Sequence, residues 1–251
     1  MPESIIAEIG CYGKIPSKGD FISHNLGADF IKNWHTWLQQ VMAVSQEQLT
    51  DNWVNYYLTS PIWHFSLSPG VCCDSAMLGT FIPSIDQVSR HFPFTLAAPH
   101  AMSGLQAWHD NKWSTDFENT ILSVLEDDFV LDSWLKVIKS KQNLIINDKK
   151  INIINSQSSD KSKKGWMIET PNTFDVLALL HHQYRHNFDN YSLWWTLGSE
   201  HVEPCFIVTD GLPQVSQFVA MLDGQWHQRN WNTSKLVKRN EDVSIKSCAD
   251  T

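Results

Sequence analysis

No apolar run in the sequence approaches the roughly 18 residues that a membrane-crossing helix needs. The opening MPESIIAEIG carries neither a positive leader region nor a long apolar core. The expected compartment is therefore the cytoplasm, with no direct membrane insertion. Cysteine is scarce: Cys11, Cys72, Cys73, Cys205 and Cys248 are odd in number and form no C-x-x-C pair. That excludes a disulfide framework or a zinc finger and fits a reducing environment. Positive charge is also short, with 19 Lys and Arg against 27 Asp and Glu and a net charge of -8. Broad nucleic-acid or anionic-membrane binding needs the opposite field and is not expected.

The usual chemical signatures are missing as well. There is no G-x-G-x-x-G, no G-x-S-x-G and no H-E-x-x-H. HHQYRH sets His182 and His186 at helical i,i+4 spacing, but the glutamate of a two-histidine zinc site is absent. Cys72-Cys73 and the acidic run Glu126-Asp127-Asp128 are residues that any chain of this composition offers. The expectation is a protein without catalytic residues, metal or cofactor, and not an enzyme.

What the chain does have is a globular composition, 42% hydrophobic and 18% charged over 251 residues, with 12 Trp. Phe30, Ile31, Trp34, Trp37, Leu38, Val41 and Val44 recur at three-four spacing and predict a helix capped by Asp29 and running to Gln46. A strand is expected over 4–9 and a short helix over 51–58. Alternation predicts strands at Ile62–Leu67, Met77–Pro83 and Phe92–Pro99. Between the last two, Ser84 and Gln87 make a capping-box pattern, so one helical turn is expected with Asp86 and Arg90 paired at i,i+4. Thr115 and Glu118 predict a second capping box that opens a helix through Ile121, Leu122 and Leu125, and another helix is expected over Val130–Ser140. Helices are also expected over 173–188 and over 214–222, the latter opening at Pro213 and ending at Gly224, with strands in SLWWTLG and PCFIVTD between them. This order implies an α/β fold, a three-layer α-β-α sandwich with a mixed, largely antiparallel central sheet. One domain is expected over 1–224. It comprises a motif-bearing part (1–138), a lysine-rich hairpin or loop (139–165) and a distal part (166–224), followed by a polar tail (225–251).

The densest local signal is GCYGKIPSKGDF, Gly10 to Phe21. It does not match the pattern of a phosphate-binding loop: Gly10 and Gly13 are too close, and Pro16 pushes Ile15 toward an extended conformation. Gly13 and Gly19 are expected to supply positive φ or close backbone approach, Pro16 to stiffen the loop, and Asp20 to accept backbone N–H bonds. Lys14 shows no structural task in the sequence and stands out as a contact residue. A structural turn, a partner-binding surface and a phosphate site all remain open for this stretch.

With WHTWL, YYLTSPIWHF and PSIDQVSRHFPF following in order, this loop resembles the type VI secretion system-associated TagF (ImpM) family. The resemblance covers residues 10–96 and extends through LWWTLG and GLPQVSQFVAMLDG to about Gly224. Two positions depart from the family pattern: Ser89 stands where the family has Gly, and Phe94 where it has Leu. The resemblance implies a longin- or profilin-like sandwich. It also implies a bacterial accessory protein that regulates the secretion system after translation, as a repressor, by binding the system's forkhead-associated-domain scaffold protein. Lys14, Lys18, Asp20 and Arg90 are the expected partner contacts, on a structural frame of Gly13, Pro16, Gly19, Ser84 and Asp86. The rival readings are a ligand sensor and a structural component of the secretion apparatus.

Overall fold

The computed structural model describes residues 8–110, 112–141 and 175–235. In chain order the elements are β1 (Gly10–Gly13), β2 (Ile22–His24), α1 (Ala28–Leu49), α2 (Trp53–Leu58), β3 (Trp63–Leu67), β4 (Met77–Ile82) and β5 (Phe94–Pro99). Then follow α3 (Gly104–His109), α4 (Lys112–Leu122), α5 (Leu131–Ser140), α6 (Val176–Asn187), β6 (Tyr191–Thr196), β7 (Cys205–Asp210) and α7 (Ala220–Asp223).

The strands make one seven-stranded sheet in the order β2-β1-β5-β4-β3-β6-β7. Every pairing in it is antiparallel, so the expected mixed sheet is corrected to a wholly antiparallel one among the described residues. Connectivity accounts for four of the six pairings: β1–β2, β3–β4, β4–β5 and β6–β7 are chain neighbours that lie side by side, a pairing that short returns allow only when antiparallel.

Strand alternation splits the core into two layers. Trp63, Phe65 and Leu67 of β3, with Phe81 and Trp194, pack against α1, α2 and α7. Leu78, Ile82, Phe94, Leu96, Leu193 and Trp195 point to the other face and pack against α3, α4, α5 and α6. The result is the three-layer sandwich. Trp34 is the hub of the first layer, with ring centroids 4.6 Å from Phe65, 5.0 Å from Trp37 and 6.0 Å from Trp194. Its indole N–H donates to Thr95 Oγ1 at 3.0 Å, so the ring is buried without an orphaned donor. In the second layer Trp113 and Trp134 donate likewise to the carbonyls of Ala107 and Thr120.

Several element boundaries differ from expectation. The first strand occupies the start of the glycine-rich stretch itself, and residues 4–7 of the expected strand lie outside the described residues. Gly27, not Asp29, caps α1, while Asp29 sits in the first turn, where its charge still favours the helix dipole. Thr115 is inside α4, which begins at Lys112. The capping box belongs to α3, an element the periodicity does not reveal, where Ser103 and Gln106 exchange side chain–backbone bonds at 3.2 Å. Helix α6 starts after Asp175, whose carboxylate accepts from the N–H groups of Leu177 and Ala178. The helix expected over 214–222 is mostly turns, with only Ala220–Asp223 helical and Gly224 closing it at φ 70°. Past Gly224 the chain is not at once a polar tail, because Trp226 and Trp231 pack on the core and Trp231 donates to the Gln217 carbonyl. The lysine-rich segment beyond Lys141 and the tail beyond Lys235 lie outside the described residues.

Candidate functional site

At the β2–β1–β5 end of the sheet, two loops meet: Lys14–Phe21, joining β1 to β2, and Pro83–Pro93, joining β4 to β5. Gly13 lets them meet. Its φ is 137°, and a Cβ there would lie 2.1 Å from the Pro93 carbonyl oxygen. No side chain fits such an approach. From there Ile15-Pro16-Ser17-Lys18 makes a turn closed by the Lys18 N–H on the Ile15 carbonyl, with Pro16 at the position its fixed φ suits.

The second loop is not the expected helical turn. Ile85 and His91 pair as an antiparallel bridge, and the Asp86 N–H donates to the Arg90 carbonyl. Residues 86–90 therefore form a hairpin tip, with Ser89 at φ 62°. An i,i+4 ion pair suits a helix and a tight hairpin equally, and the left-handed Ser89 selects the hairpin. Below it, the Tyr57 hydroxyl donates to the Ser84 carbonyl at 2.8 Å and accepts from the Ser84 N–H at 2.9 Å. Tyr57 is in turn stacked on Trp53.

Asp86 ties the two loops together. Its side chain is fully buried, and Lys14 Nζ donates to Oδ2 at 2.8 Å. Arg90 Nε donates to the same oxygen at 2.6 Å. Oδ1 accepts from the backbone N–H of Val88 at 3.0 Å and of Arg90 at 2.8 Å. Burial by itself works to raise the Asp86 pKa. The hydrogen bonds from Lys14, Arg90 and Val88 outweigh it and hold the carboxyl well below the usual carboxylate range. Across the seam the Gln87 N–H donates to the Lys18 carbonyl at 3.0 Å, and Arg90 Nη2 donates to the Gly19 carbonyl.

The sequence-predicted residues divide accordingly. Lys14 is corrected from a residue without a structural task to a buried ion-pair partner, 7% exposed, with its ammonium 5.2 Å from the Phe21 ring centroid. Gly19 lacks positive φ and has no close neighbour for a Cβ; its carbonyl is what the site uses. Asp20 is exposed and makes no hydrogen bond with another described residue, so it does not brace the turn. Lys18 is exposed, and the Arg90 side chain is 58% exposed although its guanidinium is anchored. Val88, which sequence reasoning passed over, is 65% exposed at the tip.

A small open cleft is lined by Ile62, His64, Glu118, Thr196, Leu197 and Gly198. In it His64 Nε2 lies 3.7 Å from the Glu118 carboxylate. Burial pushes the Cys72 thiol up to about 12, the reverse of an activated nucleophile. His181 of α6 shares a hydrogen bond with the Tyr191 hydroxyl. Among the described residues, no group of three or more His, Cys, Asp or Glu is placed to hold a metal ion, and no helix is long and apolar enough to cross a membrane.

An antiparallel three-layer sandwich whose interlocked loops carry these motifs matches one family model, the TagF N-terminal domain, type VI secretion system-associated, over residues 10–140. The chain belongs to that family. It is also similar to the crystal structure of PA0076 from Pseudomonas aeruginosa PAO1, at 28% sequence identity and a TM-score of 0.73, over 92% of this chain and 99% of that one. No curated protein matches the chain.

Proposed function

We propose that the protein is a non-enzymatic, post-translational regulator of a bacterial type VI secretion system, a repressor. It binds the system's forkhead-associated-domain scaffold protein in the cytoplasm and thereby limits assembly or firing. Family membership supports a role with this secretion system. The observation that carries the binding mode is the Lys14–Asp86–Arg90 knot. It fixes two loops rigidly while leaving Lys18, the Arg90 side chain and Val88 at the surface. A preorganised surface loses little conformational freedom on association, which favours recognition of a partner. Repression then needs only that the bound scaffold is withheld from its other partners.

Overproducing the protein is expected to lower secretion of a type VI substrate while the cellular level of that substrate stays constant. Deletion is expected to raise secretion. A change in substrate level matching the change in secretion would place the effect before translation ends and overturn the reading. The cleft beside His64 and Glu118 favours ligand sensing as the second reading. A thermal-shift series with nucleotides, phosphate and divalent metals separates the two, since a scaffold-binding repressor gives a flat response.

A further inference from the structure

The turn from Asp86 to Arg90 commits its carboxylate and its backbone N–H groups to bonds within the two loops. The Asp86 carboxylate takes four donors: Lys14 Nζ, Arg90 Nε and the N–H groups of Val88 and Arg90. The Gln87 N–H goes to Lys18 and the Ser89 N–H to the Asp86 carbonyl. Ser89 adopts a left-handed conformation that disfavours a residue with a Cβ. The side chains of Gln87, Val88 and Ser89 stay exposed, and Val88, at 65%, is the apolar one of the three. A single exposed valine is ordinary on a protein surface. Here it crowns a tip whose position is held by a buried ion pair, so its direction is fixed before any partner arrives.

Its surroundings are specific too. Lys18 and Arg90 flank the tip, since the Lys18 carbonyl accepts from Gln87 and the Arg90 guanidinium reaches Gly19. The two loops hold the cations Lys14, Lys18 and Arg90 against the carboxylates Asp20 and Asp86, an excess of positive charge on a chain of net charge -8. Asp86 is buried and already shared by two of the cations. Phe21, 40% exposed, adds apolar surface on the first loop.

We propose that the Asp86–Arg90 turn is a preformed plug: Val88 enters an apolar pocket of a partner protein, and carboxylates on the pocket rim pair with Lys18 and Arg90. The inference rests on the partner-binding reading above and assigns its contact. Charge complementarity selects an acidic rim, and the rigid tip selects a pocket over a flat surface. Lys14 then serves by positioning the plug and touches nothing outside the protein.

The test introduces Val88→Asp and Lys18→Glu separately into the chromosomal copy and into the purified full-length protein. Both side chains are exposed, so both variants are expected to melt with the wild type. In cells, each should give secretion like that of the deletion strain at unchanged protein level. Secretion like the wild type in the Val88→Asp strain overturns the plug whatever the partner is. In solution, wild type is titrated into the forkhead-associated scaffold. Val88→Asp should weaken binding roughly tenfold or more. Lys18→Glu should also flatten the dependence of affinity on salt. Wild-type binding that Val88→Asp leaves intact overturns the plug and spares the scaffold reading. No wild-type binding overturns the scaffold reading, and the secretion result then decides the plug alone.

Discussion

Lys14 and Asp86, 72 residues apart in the chain, meet at 2.8 Å in a place where the carboxylate is fully buried. The pair joins the first strand's exit to the hairpin tip between β4 and β5, and Arg90 completes it from the solvent side. Breaking a buried pair by removing one partner is costly because the other charge stays behind without compensation. Asp86→Ala strands the Lys14 ammonium and removes the acceptor for two backbone N–H groups. Lys14→Met leaves Asp86 with Arg90. Asp86→Ala is therefore expected to lower Tm by more than Lys14→Met does, and the double variant to lower it by less than the sum. Thermal melts of the three variants check this. Additivity would mean that the pair is not coupled.

Acid should destabilise the protein before its carboxylates titrate. Burial lowers the pKa of both His64 and His100 to about 4. In the unfolded chain a histidine takes up its proton near pH 6.5. Between those values the unfolded state holds more protons, so stability is fully present above about pH 6.5 and falls as pH drops toward 4. The slope is at most about 1.4 kcal/mol per pH unit for each ring. Asp86 has the same sign in a lower window: its stabilisation is present above the unfolded carboxylate pKa and fades as pH falls through its depressed folded value. Urea titrations at pH 7.5, 6 and 5 should show the first decline, and His64→Gln should reduce it.

The support under the hairpin rests on one hydroxyl. Tyr57→Phe removes both bonds to Ser84 and leaves a buried N–H unpaired. An expected loss of about 1–3 kcal/mol follows from the desolvation left uncompensated. Chemical denaturation measures it. A loss within error would show that water replaces the hydroxyl.

At the tip, Ser89→Gly should stabilise the protein by up to about 1 kcal/mol, because glycine reaches φ 62° without a Cβ penalty. Ser89→Val should destabilise it, since branching worsens the same strain. A destabilising Ser89→Gly would show that the serine side chain contributes more than its backbone strain costs.

The sequence made the layers legible and the site only half so. Trp34, Trp37, Leu38 and Val41 share one face at three-four spacing, and α1 buries that face. The apolar strands β3, β4 and β5 could be read within two residues of their ends because they are dense in branched and aromatic residues. Gly13 was legible as a close approach. Lys14 was not legible as structural, because its partner is 72 residues away and no local spacing encodes that pairing. Asp86 and Arg90 were recognisable as a pair, but i,i+4 spacing does not distinguish a helix from a hairpin tip. Helix α3 was missed because six residues carry too little periodicity, although Ser103 and Gln106 signal its start. The exposure of Val88 at the tip was not legible either, because it follows from a hairpin that the local spacing does not encode.

The most direct measurement is calorimetry between the full-length protein and the forkhead-associated-domain scaffold of its secretion system. Saturable binding with a simple stoichiometry, weakened by added salt, is the predicted result for a repressor that withholds the scaffold through a cationic, valine-tipped turn. No binding at concentrations well above those in the cell would contradict scaffold withholding and leave the protein a TagF-family member that acts by another route.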